Sequence, residues 1–347
     1  MAHIAIVTSH PPFAVGGHLV IAQCLRDGLR EVGHTVDVLM TPQNRFGRQG
    51  SAYLATRLTD VGLTHDGRTV DQVITLRFPS YAVRHPAHVC WLNHRMREYY
   101  DLWPRFSASL GVAGRMKERV RRRVIHGVDH YLLTRNVTRL YAQSRTIQQR
   151  LIRYGGIRSA VIQPPPPPRP YRCERADGYI FVVSRLTPLK RIDLVIRALA
   201  TPDGRGARCV VAGDGEAAGT LAELGRSLGV DDRLEFLGHV DEATLVDRMA
   251  HCAAVCFAPL AEDYGFVTAE AFASGKPVIT CTDSGGPAEL VEDRVTGFVC
   301  DPTPESVAGA LRAVMDDPDR AEQMGQAGRA LVAPWTWPDV ARRLVIV

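Results

Sequence analysis

The sequence predicts an α/β protein of two doubly wound parallel sheets, each wrapped by helices. Three observations predict it. The chain has 347 residues, a length that suits two domains of roughly 100–200 residues each. Short apolar runs alternate with helical patterns, the rhythm of βαβ units. A proline run, Pro164-Pro165-Pro166-Pro167-Pro168-Arg169-Pro170, divides the chain near its middle. Five consecutive prolines continue neither a helix nor a central strand.

In the first half, residues 3–9 read as a strand, 17–32 as a helix ending near Gly33, and 35–40 as a second strand. His88-Val89-Cys90-Trp91-Leu92 reads as a buried strand that ends on the polar pair Asn93-His94, and residues 115–123 read as helical. The prolines favour stiff, extended backbone and read as a connection between domains, with a docking site for a signalling module as the other reading. Beyond them, strands are expected at 178–184, 207–212, 234–237, 253–258, 277–281 and about 297–300. Helices are expected at 190–200, 216–228, 242–250, 265–274, 286–292, 304–316 and 319–332. The expected organisation is a first domain over 1–163, a proline-rich linker over 164–177, a second domain over 178–333 and a closing helical segment over 334–347. Ligands of such sheets bind at the carboxyl ends of strands, near the point where strand order reverses.

Hydrophobic residues make up 46% and charged residues 23% of the chain, so two cores can be buried without disulfides or metals. No apolar run approaches the ~18 residues of a membrane span. Met1 is followed at once by strand-like His3-Ile4-Ala5-Ile6-Val7, which leaves no room for a leader, and a cytoplasmic protein is expected. The eight cysteines include no C-x-x-C and read as reduced, buried small hydrophobes. His251, Cys252 and Cys256 come nearest to a metal cluster, but no further ligand pair is close in sequence. Asp317-Pro318-Asp319 is the only D-x-D and sits in a turn. No metal and no cofactor are expected. Residues 1–163 hold 23 basic and 10 acidic side chains, against 19 and 27 in residues 164–347, so the first half is the one suited to an anionic partner.

The chemistry concentrates at predicted strand ends. After the strand ending at Phe257-Ala258-Pro259, a loop carries Glu262, and a helix opens near Gly265 and stops at Gly275. First-turn amides from Gly265 to Thr268 would then face a phosphate, helped by the helix dipole. Glu262 and Glu270 are placed to accept hydrogen bonds from hydroxyls; the bland alternative makes Glu262 a helix cap and leaves Glu270 in solvent. Phe181-Val182-Val183-Ser184 ends in Arg185, and Lys190 is expected to open a helix. A cation opposes the dipole there, which makes sense if an anion sits between the two, or if acids such as Asp193 neutralise them. Gly213, in Ala212-Gly213-Asp214-Gly215, offers backbone to a ligand or merely makes a turn. His239 and Val240 end another strand, where backbone could meet a nucleobase edge. Ser284-Gly285-Gly286-Pro287 suits a tight strand–helix turn. In the first half, Ala14-Val15-Gly16-Gly17 joins strand to helix without forming G-x-G-x-x-G, so no nicotinamide cofactor is implied.

Together these residues resemble glycosyltransferase family 4, the group 1 glycosyltransferases of GT-B fold. The likeness is clearest over 178–300, and the first half matches more loosely. Ser184-Arg185-Leu186 with Lys190 resembles the family's diphosphate-binding pair, Glu262 and Glu270 its E-x7-E element, and Trp335-Thr336-Trp337-Pro338 with the following helix its returning tail. The resemblance implies two Rossmann-like domains facing each other across a cleft, with the last helix crossing back to the first domain. It implies a retaining, metal-independent transfer of a hexose from a nucleoside diphosphate sugar, with uridine diphosphate as the default carrier. Arg185 and Lys190 would bind the diphosphate, Glu270 the ribose hydroxyls, and Glu262 the donor sugar together with backbone from Tyr264, Gly265, Phe266 and Val267. Gly16 and Gly17 would border the diphosphate, and His94 corresponds to a histidine that hydrogen-bonds the donor sugar. A non-catalytic nucleotide-sugar binder and a sugar-nucleotide epimerase are the competing readings.

The acceptor would be a glycan, a lipid-linked saccharide or a small molecule. Residues 95–123 hold nine Arg or Lys against Glu98, Asp101 and Glu118, with Tyr99, Tyr100, Trp103 and Phe106 among them. Such a segment could dock on an anionic leaflet at the inner face of the membrane; the alternative is a solvated helix face. No nucleic-acid-binding motif accompanies the charge.

Overall fold

The computed structural model describes residues 1–10, 16–43 and 47–347. It divides into two compact units, Met1–Pro164 together with Thr336–Val347, and Pro165–Trp335.

The first unit contains strands β1 (His3–His10), β2 (Thr35–Pro42), β3 (Gln72–Thr75), β4 (His88–Leu92), β5 (Arg139–Ala142) and β6 (Ala160–Val161). They form one parallel sheet in the order β2-β1-β3-β4-β5-β6. Its helices are α1 (Gly17–Glu31), α2 (Gln49–Leu58), α3 (Trp103–Ala108), α4 (Val112–Tyr131) and α5 (Arg145–Gly155). Every residue of β4 is buried, as a strand covered on both faces requires. The end of the chain returns to this unit. Thr336 accepts a hydrogen bond from the Asp339 amide and so caps the last helix, Trp337–Leu344. Trp337 packs edge-on against Trp91 at 6.1 Å. A Cβ on Gly28 would lie 2.9 Å from the Trp337 carbonyl, so α1 can approach this helix only with glycine at that place. The Gln72 amide closes the contact by donating to the Leu344 carbonyl at 2.7 Å and accepting from the Ile346 amide at 2.8 Å.

The second unit contains β7 (Tyr179–Val183), β8 (Arg208–Ala212), β9 (Leu234–Gly238), β10 (Ala254–Cys256), β11 (Val278–Cys281) and β12 (Gly297–Cys300). They form a parallel sheet in the order β12-β11-β10-β7-β8-β9. The helices between them are α6 (Ile192–Ala200), α7 (Ala218–Ser227), α8 (Glu242–His251), α9 (Phe266–Ala273) and α10 (Gly286–Leu290), followed by α11 (Pro304–Asp316) and α12 (Pro318–Val332). The thiols of Cys209, Cys252, Cys256 and Cys281 fill the core, and burial pushes that of Cys252 up to about 12. Among the described residues no group of histidines, cysteines and acids is placed to hold a metal. Asp317 caps α12 by accepting from the Arg320 amide at 3.0 Å, a structural use of the D-x-D.

Residues 165–177 are fastened to the second unit. The Glu174 and Asp177 amides donate to the Ala250 and His251 carbonyls at 3.1 and 2.9 Å. Lys276 Nζ donates to the Glu174 carbonyl at 2.8 Å. The prolines open a strap along this unit.

Candidate functional site in the second unit

Strand order reverses at β7, which lies between β10 and β8. The loops that follow β7 and β10 therefore leave the sheet side by side at its carboxyl edge, where α/β proteins bind ligands. Arg185 and Lys190 stand on the first loop, and Glu262 on the second. Lys190 Nζ is 2.8 Å from Glu262 Oε2, with both side chains about four-fifths buried. The Leu260 amide donates to the Leu189 carbonyl at 2.8 Å and ties the two loops.

One expectation is corrected here. Lys190 does not open a helix: it closes a 3₁₀ turn, Pro188–Lys190, and α6 starts at Ile192. Between them Arg191 takes a left-handed conformation, φ 51°. That breaks the helix and aims its guanidinium across the sheet edge. Arg191 donates to the Ala258 and Pro259 carbonyls at 2.8 and 3.0 Å and pairs with Asp283 at 2.7 Å. It fixes the loops after β7, β10 and β11 to one another. Sequence reasoning passed over it, because it stands beside the lysine that drew attention and its acid lies 92 residues further on. The acid that neutralises Lys190 is likewise Glu262 rather than Asp193.

Gly265 is the N-cap of α9 with φ 80°. Glu262 does not cap this helix through its side chain. Its backbone bridges instead to the turn before α10, donating to the Ser284 carbonyl at 2.7 Å and accepting from the Gly286 amide at 3.0 Å. First-turn amides of α9, among them those of Phe266 and Val267, have no carbonyl one turn earlier in the helix. Tyr264 is buried edge-on against Phe266 at 5.5 Å. Glu270 lies one turn inside α9, 6% exposed and far from the solvated position of the bland reading. The Arg169 guanidinium pairs with its Oε1 and also stands 3.2 Å from Glu242. Burial pushes the Glu270 carboxyl up from its usual value, and the Arg169 charge pulls it back down. Arg169 sits in the proline run, where only a connection was expected.

Gly213 has an internal reason for being glycine. A Cβ there would lie 1.9 Å from the Ser184 carbonyl oxygen, its φ is 124°, and its amide donates to the Gly238 carbonyl at 2.7 Å. That amide is already used, so any approach of this turn to a ligand would be through its other backbone atoms. His239 is exposed and Val240 half-buried just beyond β9.

The remaining expected residues lie in the first unit. Gly16 and Gly17 open α1, and Gly16 has extended backbone; Ala14 and Val15 fall outside the described residues. His94 follows β4. Its Nε2 is 3.0 Å from Arg77 Nη2, and its Nδ1 is 2.7 Å from Asn93 Oδ1. Arg77 can only donate, so Nε2 accepts and Nδ1 carries the proton. Burial, then the neighbouring Arg77 and Arg97 cations, hold this imidazole well below its usual value, and it is neutral.

The aromatic part of the 95–123 segment is also corrected. Tyr99 and Tyr100 are fully buried and turned inward, Arg95 stacks over the Tyr100 ring at 3.8 Å, and Arg97 pairs with Asp101 at 2.6 Å. Their hydroxyls are needed by acids on α4, so these rings do not form a surface.

Comparison with known proteins agrees with the second-unit geometry. Residues 172–331 match the family described as glycosyl transferases group 1, and over this part of the chain the resemblance drawn from the motifs is borne out. A GDP-mannose-dependent alpha-(1-6)-phosphatidylinositol monomannoside mannosyltransferase of Mycobacterium tuberculosis is 38% identical over 176 residues, 48% of this chain and 46% of that protein. A D-inositol 3-phosphate glycosyltransferase of Kribbella flavida is 38% identical over 167 residues, 44% of this chain and 39% of that protein. The aligned part thus spans less than half the length of these relatives. Among solved structures, sucrose-phosphate synthase of Thermosynechococcus elongatus aligns with a TM-score of 0.77 at 16% identity over 99% of this chain and 97% of its own. Anabaena HepE in complex with UDP and glucose aligns at 0.71 and 18% identity, covering 98% and 97%. These likenesses show the fold, and the GT-B class expected from the sequence is the one found. Among the described residues no helix is long and apolar enough to cross a membrane.

Proposed function

We propose that this chain transfers a hexose from a nucleoside diphosphate sugar to an acceptor hydroxyl, with retention and without a catalytic metal. The observation that carries this reading is the Lys190–Glu262 pair, held 2.8 Å apart where strand order reverses and next to the first turn of α9. Breaking the bond between sugar and diphosphate places negative charge on the leaving phosphate. Arg185, Lys190 and the α9 amides are preorganised positive groups that stabilise this charge most in the transition state. They supply the role that a divalent ion fills elsewhere. Glu262 keeps Lys190 extended until the diphosphate arrives, and then turns to the sugar hydroxyls. Glu270 accepts from the ribose diol.

For the base, the 38% match over 176 residues to a GDP-mannose-dependent relative favours guanosine over the uridine default. For the acceptor, the same relative's name and the basic 95–123 segment favour a lipid-linked saccharide reached at a membrane surface.

The test is a thermal-shift panel of uridine, guanosine and adenosine diphosphates and their sugar conjugates, run on wild type and R185A/K190A. Ligand at 100 times its Kd adds roughly 2.7 kcal/mol to the unit that binds it. A shift with guanosine diphosphate that disappears in the double variant supports the reading. No shift with any nucleotide overturns it.

A further inference from the structure

Helix α4 is built inside out. Its inward side carries Ile125, Glu118, which accepts from Tyr99 at 2.8 Å, and Asp129, which accepts from Tyr53, Tyr81 and Tyr100. Its outward side carries Val112, Met116, Val120, Val124 and Tyr131, all between 57% and 82% exposed. The first four recur at every fourth position and so form one stripe. Lys117, Arg119, Arg121 and Arg123 border it. A surface helix of a water-soluble domain does the reverse, with its apolar stripe toward the core.

The stripe continues into a groove. Next to α4, helix α2 exposes Leu54 and Leu58. The two helices bound a cavity of about 810 Å³ whose walls include Leu54, Val120, Val124 and Val128. Arg57, Arg84 and Lys117 stand at its edge, and among the described residues none of the three is in an ion pair. Arg57 is half-buried, bonded to the Ala82 carbonyl and Asn136 Oδ1. Burial, and then the nearby Arg84 cation, lower its hold on its own proton, so an anion arriving there would relieve a repulsion. Apolar walls beneath a cationic rim match a chain with a phosphate at its head. A second copy of the protein would bring a basic border against a basic border, and a nucleic acid has no use for a valine stripe.

We propose that this groove takes an acyl chain of an anionic phospholipid while α4 lies in the bilayer interface, with the lipid phosphate at Arg57, Arg84 and Lys117. The proposal deepens the lipid-linked acceptor reading and rests on it for its biological sense, but its test does not use transfer.

The full chain is floated with phosphatidylcholine vesicles, with and without phosphatidylglycerol, at low and high salt. Wild type is expected to float only with phosphatidylglycerol, and less at high salt. V120D/V124D changes only exposed positions and lowers partition roughly tenfold or more, with circular dichroism and nucleotide-induced stabilisation unchanged. L54D does the same, although Leu54 lies on the other helix. Free inorganic phosphate displaces little protein, because the chain and not the head supplies most of the binding. Failure of wild type to float at low salt overturns the proposal, as does self-association through the stripe in its place. Undiminished flotation of V120D/V124D or L54D also overturns it and leaves a purely electrostatic attachment. Flotation without any nucleotide shift keeps this inference and removes the transferase reading; a shift without flotation does the converse.

Discussion

Asp129 in the first unit and Glu270 in the second are both buried carboxylates, and they are satisfied in opposite ways. Asp129 has neutral donors on both oxygens: Tyr53 and Tyr81 on Oδ1, and Tyr100 on Oδ2. Glu270 has the charged Arg169 on Oε1. Burial and the Asp129 charge push the three phenols upward, so they remain protonated donors. A carboxylate closed by phenols from three separate chain segments has no capacity left for a ligand. A carboxylate held chiefly by one guanidinium, with Tyr171 beside it, on a helix that opens at a strand-end loop, can take hydroxyls in exchange. Burial alone therefore does not mark a site. The charge and number of the donors distinguish the two cases.

Removing the acid of the first unit tests its half of this contrast, with the largest expected effect. D129L leaves three buried hydroxyls without their acceptor, at about 1–3 kcal/mol each. We expect a loss of about 3–9 kcal/mol, read as a lower urea midpoint for the first unit. Adding Y53F, Y81F and Y100F to D129L should recover most of it, because removing both sides of a buried hydrogen bond is nearly neutral. An unchanged midpoint in D129L would mean that the phenols are satisfied without the acid.

The next effect sharpens the claim that buried polar groups of the first unit serve folding. His88 is buried on β4, its Nδ1 3.0 Å from the Asn136 carbonyl and its Nε2 2.9 Å from Thr75 Oγ1. Burial lowers it from 6.5 to about 4. The unfolded chain takes up this proton as pH falls through 6.5, whereas the folded chain refuses it until about 4. In that window the unfolded state binds more protons, so stability rises with pH and is lost as pH falls. The contribution is ~3 kcal/mol over the whole window. Neutral His94 is depressed in the same direction and adds to the slope. Urea midpoints measured across this range should fall less steeply in H88Q than in wild type. Equal slopes would show that His88 does not contribute.

The sequence disclosed the second unit more fully than the first, for reasons visible in single residues. Arg185, Lys190, Glu262 and Glu270 lie in two contiguous stretches bounded by Pro188, Gly265 and Gly275, so local punctuation places them at strand ends. Arg191 and Arg169 escaped because their meaning depends on Asp283 and Glu270, 92 and 101 residues away. In the first unit β5 is four residues long and begins with an arginine, and β6 has two residues, too short for an alternation to register. Of the 112–131 helix only residues 115–123 read as helical, and their run of charges does not tell which side is inward. The tyrosines that fix it, Tyr53, Tyr81, Tyr99 and Tyr100, come from three other segments.

The smallest expected effect separates the two carboxylates most directly. Burial raises the Glu270 carboxyl and Arg169 opposes the rise. R169M keeps much of the bulk and removes the charge, so burial acts unopposed and the carboxyl holds its proton to a higher pH than in wild type. A protonated carboxyl is a poorer acceptor for the ribose diol. Nucleotide binding by R169M should weaken roughly tenfold, the scale of one charge-assisted hydrogen bond at about 1.4 kcal/mol. The sign of the pH dependence follows: the deficit shrinks as pH rises and the ionised carboxylate returns, while wild-type affinity changes less over the same range. E270Q cannot ionise, so it should bind weakly at every pH. Titration calorimetry of the three proteins with the nucleotide from the stability panel distinguishes the cases. If R169M binds as tightly as wild type at all pH values, Arg169 is only a clip for the strap, Glu270 is as closed as Asp129, and the ribose contact must be sought elsewhere on the β7–β10 edge.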